Sequence, residues 1–358
     1  MFLRAQLAHL AQNGYEVSLG TNLGQKSQGR LPRFVKFHHI AYCRQPSAMK
    51  DIAALVATIR LIRRTRPDLV NASTPKAGLI GLLAARVCRV PARVYVVRGF
   101  RFETMVGWRR RVFRLAERIA LNCATNIIFN SPSLRRVAES NKLTSPGMGH
   151  VLRNGVSPSR LGERPSRTVA RHELGIPDSS YVIGYVGRLT RDKGTDDLVQ
   201  ALRLLNDDAV HLLLIGALED GDPILDVTLA DIQANRQITW VRWMDDPLRA
   251  YAAMDVLAFP SYREGLPNVP LEAAACALPV VAYAATGTVD AVVHGVTGLL
   301  GPIGDLTMLV SHLRRLQNDR QLAESLGKAG DTWARTTFDE GEVVTELANL
   351  YRLWLPAR

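Results

Sequence analysis

The chain has 358 residues, 47% hydrophobic and 22% charged, which gives room for two globular domains and excludes a disordered, collagen-like or low-complexity polypeptide. Its net charge of +12 is unevenly divided: residues 1–157 hold 26 lysines and arginines against 6 acids, and residues 158–358 hold 19 against 27. The basic half asks for an anionic partner, and nucleic acid, an acidic membrane leaflet and a phosphorylated substrate are the candidates.

Cys43, Cys88, Cys123 and Cys276 are scattered, with no Cys-x-x-Cys pair and no histidines clustered beside them, so neither a disulfide framework nor a zinc site is expected and a reducing cytosol is the natural setting. No run of 18 apolar residues and no leader of basic then apolar residues is visible, so no membrane-spanning helix or secretory signal is expected.

Phe2, Leu3, Leu7 and Leu10 recur at helical spacing and Asn13-Gly14 closes the run. A Rossmann-like domain begins with a strand and a glycine-bearing loop before such a helix. Neither is present, and the expectation is a first domain lacking its first strand through a truncated or mis-assigned start. Strands are then predicted at Glu16–Thr21, Asp68–Ala72, Arg93–Val97 and Thr125–Asn130, alternating with helices at Ala48–Arg64, Lys76–Cys88 and Trp108–Asn122. Within the last of these, Val112, Leu115, Ala116 and Ile119 share one face and Arg109, Arg110, Arg111, Arg114 and Arg118 occupy others. This basic amphipathic pattern predicts an apolar stripe packed into the domain core and arginines drawn to an acidic leaflet. No helix-turn-helix, zinc finger or aromatic–basic RNA motif accompanies the charge, which makes nucleic acid the weaker partner.

Gly155, Pro158, Gly162, Pro165 and Gly175 break up Asn154–Pro177, the predicted domain boundary. Strands follow near Val182–Val186, His211–Ile215, Ile238–Val241, Val256–Phe259 and Val280–Ala282, with helical patterns between them. Such alternation predicts βα units and parallel sheets: an α/β protein of two Rossmann-like domains, residues 1–157 and 158–338. The helix at Glu340–Leu355, within residues 339–358, is expected to cross back to the first domain.

Two segments carry chemistry. Phe259 to Ala273 follows a strand and runs into a helix, with Glu264 and Glu272 eight positions apart. Ligands of open α/β sheets lie beyond the carboxyl ends of the strands. Gly265 permits close backbone approach, and the N–H groups around Leu266, Pro267, Asn268 and Val269 are placed to meet phosphate or sugar oxygens. A carboxylate accepting two vicinal hydroxyls suits a ribose or a hexose. The bland alternative is a dipole-complementing Glu272 and a solvated Glu264. The second segment, Gly184 to Gly194, places Arg188 and Lys193 around a short loop after Gly187, where two cations can neutralise a diphosphate. It contains no Walker-type loop. Asp220-Gly221-Asp222 has the letters of a metal motif but sits in an acidic turn and reads as solvated.

Together these segments resemble the retaining glycosyltransferases of family 4. Glu264 and Glu272 match the family's Glu-x7-Glu, and Gly187, Arg188, Lys193 and Gly194 match its Gly-Arg…Lys-Gly element. The run from Gly287 to Leu300 is also similar, with Val289-Asp290 where the family often has Pro-Glu. The resemblance implies the GT-B fold, two Rossmann-like domains facing a cleft. It implies transfer of a hexose or N-acetylhexosamine from a nucleotide-sugar co-substrate, UDP-linked, with retention and with no metal or cofactor. Glu272 would hold the ribose, Glu264 would contact the donor sugar, and Arg188 with Lys193 would clamp the diphosphate. Trp243 and Met244 would lie beside the base, although packing explains Trp243 equally well. In the first domain the family's histidine is replaced within Val97-Arg98-Gly99, and Thr74-Pro75-Lys76-Ala77-Gly78 looks like a subgroup that assembles bacterial capsule, exopolysaccharide, lipopolysaccharide and lipid-linked oligosaccharide. Ser73 and Thr74 would cap the helix, and Lys76 and Arg98 are candidates for an acceptor phosphate. The expected partners are a nucleotide-sugar, an anionic lipid-linked glycan and an acidic membrane surface, with the protein peripheral on the inner face of the cytoplasmic membrane. Two alternatives stay open: a GT-B sugar-nucleotide epimerase, and a binding protein impaired by the missing strand and loop.

Overall fold

The computed structural model describes residues 2–22, 31–42, 47–157, 164–244 and 246–355, with residues 2–4 described as backbone only. Cys43 and part of the predicted boundary lie outside the described residues. The chain divides into two compact units, Met1–Gly155 with Glu340–Arg358, and Val156–Asp339.

The first unit opens with α1 (Phe2–Gln12) and continues through β1 (Ser18–Thr21), β2 (Lys36–His39), α2 (Ala48–Thr65), β3 (Leu69–Ser73), α3 (Pro75–Val87), β4 (Ala92–Val97), α4 (Gly107–Cys123), β5 (Asn126–Phe129), α5 (Pro132–Ser140) and β6 (His150–Val151). Every strand pairing is parallel, and the strands form two ladders, β1-β2 and β3-β4-β5-β6. Among the described residues none pairs with both β1 and β3, so each stands at the edge of its ladder. β4 is a continuous apolar run because both of its faces are covered: Tyr95 and Val97 meet Leu82, Ala120 and Leu121 on one side, while Val94 and Val96 belong to a separate cluster on the other.

Two expectations fail here. The α4 stripe predicted to pack inward faces outward, with Val112 52%, Leu115 58% and Ile119 41% exposed. The arc that seats the helix is instead Phe113, Glu117, Ala120 and Leu121. An acid can lie on that arc because Tyr95 Oη donates to Glu117 Oε2 at 2.8 Å, and a buried polar group is tolerated once it is bonded. At the start of α3, Thr74 sits at the N-cap position but makes no side-chain cap bond; its φ is +75°, and Pro75 supplies the first turn.

The second unit comprises α6 (Arg167–Leu174), β7 (Tyr181–Val186), α7 (Thr195–Leu205), β8 (Val210–Ile215), α8 (Asp226–Ala234), β9 (Ile238–Val241), α9 (Leu248–Ala253), β10 (Val256–Phe259), α10 (Asn268–Ala274), β11 (Val280–Tyr283), α11 (Thr288–Ala291), β12 (Gly298–Gly301), α12 (Leu306–Asn318) and α13 (Arg320–Thr337). Its six strands form one parallel sheet in the order β12-β11-β10-β7-β8-β9. Alternate residues serve two cores: Leu213, Leu257 and Phe259 pack with α9, α10 and α13, while Leu212, Leu214 and Val256 pack with α7 and α12. Arg171 of α6, 1% exposed, reaches Asp255 Oδ2 at 2.7 Å, and the same oxygen accepts the Val182 N–H at 2.7 Å. Chain direction along the sheet reverses at β7, whose neighbours are β8 and β10, so the topological switch point lies between β7 and β10.

The last helix, α14 (Glu340–Trp354), belongs to the first unit: Val343, Leu347 and Tyr351 cover Val94, Val96, Ile128 and Leu152. Among the described residues no helix is long and apolar enough to cross a membrane.

Candidate active site

The loops after β7 and β10 meet backbone to backbone at the switch point. A Cβ on Gly194 would lie 2.1 Å from the Pro260 carbonyl oxygen, and one on Gly287 would lie 2.0 Å from that of Gly265. Both glycines have positive φ, +71° and +76°, so close approach and backbone conformation demand the same residue. Three loops, following β7, β10 and β11, are thereby fastened at one end of the sheet.

This convergence brings together side chains distant in sequence. Lys193 Nζ lies 2.5 Å from Glu264 Oε1, and Ser261 Oγ donates to the same oxygen at 2.8 Å. Lys193 and Glu264 are largely buried, at 16% and 14% side-chain exposure. Arg188 is ion-paired with Glu219, from the loop after β8. Burial opposes the guanidinium's charge, but the bond to Glu219 and the charges of Glu219, Asp192 and Glu264 outweigh it and raise its pKa. Asp192 braces the loop: it accepts from Thr190 Oγ1 at 2.7 Å and from Arg263 Nη2 at 2.8 Å. Burial works to raise its pKa, yet the Thr190 bond and the charges of Lys193 and Arg263 hold it below the usual range. Asp222, read from sequence as solvated, is half-buried and accepts the Asp192 N–H at 2.8 Å. It buttresses the β7 loop from the turn after β8.

Glu272 lies in α10, and Tyr251 of α9, 1% exposed, donates its Oη–H to Glu272 Oε2 at 2.9 Å. Burial and then the Glu272 charge push the phenol's pKa far up, so it stays a donor. Gly265, Leu266 and Pro267 are buried, and Asn268 opens α10 half-buried. Gly187 directly follows β7. Trp243 and Met244 part company beyond β9, the edge strand: Trp243 is 74% exposed, so packing does not account for it, while Met244 packs against the core.

In the first unit, Lys76 Nζ is ion-paired with Asp51 of α2 at 2.6 Å. Arg98, just past β4, lines a small pocket with Gln6, Asn71, Asn130, Arg153 and Asn154. Burial holds its pKa below the usual arginine value, with Tyr351 opposing the shift. Lys76 is not among the residues lining that pocket. The sequence reading missed Tyr251, Ser261, Glu219 and Asp192. Ser261 lies within Phe259–Ala273 and Asp192 within Gly184–Gly194, but a tyrosine in a helical pattern carries no signal of its role. Among the described residues no group of three or more His, Cys, Asp and Glu is arranged to hold a metal ion.

A parallel α/β unit with charged loops at its switch point is a ligand-handling architecture of broad use, and likeness to known proteins narrows it. Residues 2–155 match the model of the glycosyl transferase 4-like domain, and residues 166–333 that of the glycosyl transferases group 1. The capsular polysaccharide biosynthesis glycosyltransferase CapM of Staphylococcus aureus is 32% identical, over 99% of this chain and 94% of its own length. The Escherichia coli UDP-Gal:alpha-D-GlcNAc-diphosphoundecaprenol alpha-1,3-galactosyltransferase is 26% identical, over 78% and 74%. Sucrose-phosphate synthase from Thermosynechococcus elongatus has the same fold, with a TM-score of 0.83 at 20% identity over 98% of this chain and 92% of that one. The chain belongs to glycosyltransferase family 4, with the GT-B fold, and is a sugar-transferring enzyme.

Proposed function

We propose that this glycosyltransferase moves a sugar, with retention at the anomeric carbon, from a UDP-sugar to a lipid-pyrophosphate-linked or polysaccharide acceptor. The observation that carries the reading is the gathering of Arg188, Lys193, Glu264 and Ser261 on fastened loops at the β7–β10 switch point. Arg188 and Lys193 would take up the charge that develops on the diphosphate as the sugar–phosphate bond breaks, so the step needs no resident metal or cofactor. Glu264 would contact the donor sugar, and Glu272, oriented by Tyr251, would accept two ribose hydroxyls. Gly187, Gly265, Leu266, Pro267 and Asn268 would border the donor, and the exposed Trp243 offers a ring face to the base. Met244, half-buried against the core, would lie beside the base with it.

Three facts support the acceptor reading. The E. coli relative's name specifies a lipid diphosphate, the first half of the chain is strongly basic, and the Arg98 pocket offers cations and amides suited to an acceptor phosphate. Lys76, already paired with Asp51, is the weaker candidate for that role. The site of action would be the inner face of the cytoplasmic membrane. Incubating Glu272→Gln and the unaltered enzyme with UDP-sugars and a synthetic lipid diphosphate-sugar tests the donor site: equal donor affinity and turnover would overturn the ribose role. The coupling constant of the anomeric proton in the first-formed product decides the stereochemistry, and an inverted product would overturn retention.

A further inference from the structure

Asp197 lies in the first turn of α7, where an acid ordinarily complements the helix dipole. Asp196 shares that turn, so the dipole does not single Asp197 out. What does is its pair of phenols: Asp197 Oδ2 accepts the Oη–H of Tyr262 and of Tyr283, each at 2.7 Å. The two rings meet edge to face, with centroids 5.6 Å apart and planes at 79°, a favoured arrangement for an aromatic pair. Burial, and then the bond to Asp197, push both phenol pKa values far above the ordinary range, so both stay donors at any working pH.

The two tyrosines lead to different places. Tyr283 ends β11 and is fully buried in the core that α7 and α12 share. Tyr262 belongs to the loop after β10, between Ser261 and Arg263 and two residues before Glu264. That loop is already held at Pro260 by the close approach of Gly194, and the Tyr262 N–H donates to the Asp192 carbonyl at 2.9 Å. Asp197 itself stands four residues beyond Lys193. One carboxylate oxygen therefore ties the segment that carries Lys193 to the loop that carries Glu264.

We propose that Asp197, acting through Tyr262, is a positioning residue of the transfer reaction, setting where Glu264 stands against Lys193 and the donor sugar. The inference rests on the donor-site reading of Glu264. Without the phenol bond, the loop keeps its backbone bond to Asp192 but can swivel about it. Misplacing a group by about 1 Å near the reacting centre costs about 10²-fold in rate. Arg188 and Lys193 would still hold the diphosphate, so the loss falls on the chemical step rather than on binding.

The test compares Tyr262→Phe with Tyr283→Phe in the full chain. Each removes one hydroxyl from the same Asp197 oxygen and keeps its ring, so a merely structural role predicts equal effects. Transfer is followed with UDP-glucose, UDP-galactose or UDP-N-acetylglucosamine, whichever the unaltered chain uses fastest. Tyr262→Phe and Asp197→Asn should lower kcat by about 10- to 100-fold, with UDP affinity by calorimetry within about threefold. Tyr283→Phe should lower the thermal midpoint at least as far and change kcat by no more than about threefold. The double variant Asp197→Asn/Tyr262→Phe should be no slower than the slower single variant, because both cut one connection. Hydrogen exchange of the amides of residues 261–265 reads the anchor without turnover: Tyr262→Phe should speed it about tenfold, and Tyr283→Phe should not. Equal kcat losses in the two phenylalanine variants, or unchanged exchange in Tyr262→Phe, would overturn the proposal. Glu264→Gln is measured alongside. Full kcat in that variant sinks the donor-site reading itself; a loss there with none in Tyr262→Phe sinks the positioning role alone.

Discussion

Lys193 and Glu264, 71 positions apart in the chain, meet at 2.5 Å on the loops after β7 and β10. If Lys193 clamps the donor diphosphate as proposed, it is held by a carboxylate until the donor competes for it. Glu264→Gln should therefore leave UDP binding intact or strengthen it by up to about tenfold, while kcat falls about 10²- to 10³-fold. Lys193→Ala should weaken UDP binding and lower kcat together. Titration calorimetry with UDP and initial-rate kinetics separate the two patterns.

Tyr251 governs the second carboxylate. Tyr251→Phe removes the hydrogen bond to Glu272 Oε2 and leaves the ring's packing in place. A bond to a charged acceptor contributes roughly 1.5–3 kcal/mol, so donor KM should rise at least about tenfold, with kcat changing less. An unchanged KM would show that Glu272 needs no such guide.

Glu117 should make stability depend on pH. Burial raises its pKa to about 7 against the opposing Tyr95 bond, while an unfolded chain titrates it in the ordinary carboxylate range. The folded state therefore keeps a proton that the unfolded state releases. Its contribution is fully present below the ordinary range and is lost as pH rises through about 7, at roughly 1.4 kcal/mol per pH unit. Glu117→Gln should remove this slope and leave the protein the more stable form at pH 8. Urea midpoints across that range provide the measurement.

Asp255→Ala should be among the most damaging substitutions in the second unit. It removes the carboxylate paired with the buried Arg171 guanidinium, which keeps its bonds to the carbonyls of Ala253, Asp178 and Ser180, and takes the same acceptor from the Val182 N–H, a loss of about 3–5 kcal/mol. The thermal midpoint should fall sharply, while UDP affinity measured well below it stays close to that of the unaltered chain.

The second unit was the more legible in sequence. Val210–Ile215 and Val256–Phe259 are buried on both faces, and such strands announce themselves as unbroken apolar runs between helical patterns. The loops carrying Arg188, Lys193 and Glu264 stood out because glycines flank their charges at strand ends, and Glu272 follows in the helix that the second loop opens. In the first unit, β2 reads Lys36-Phe37-His38-His39 and β6 is two residues long, leaving no period to detect. The α4 reading failed for a different reason. Periodicity reveals an apolar arc but not which way it faces, and the inward arc contains Glu117, which only Tyr95 from a different strand makes tolerable. Tyr251 acts through Glu272, and Asp192 largely through Arg263 and Asp222, partners supplied by the tertiary fold, which spacing along the chain does not disclose.

The return of α14 to the first unit sets an order of assembly. Val343, Leu347 and Tyr351 cover a face of β4 and β5 that stays open until residues 340–354 emerge. The second unit is one continuous stretch and can close as soon as it has been synthesised. The first unit, although translated first, must wait on the order of tens of seconds at ordinary elongation rates with an apolar sheet face uncovered. Its final stability is thus decided only once residues 340–354 are in place, and nascent chains caught before that point are the species a chaperone would find.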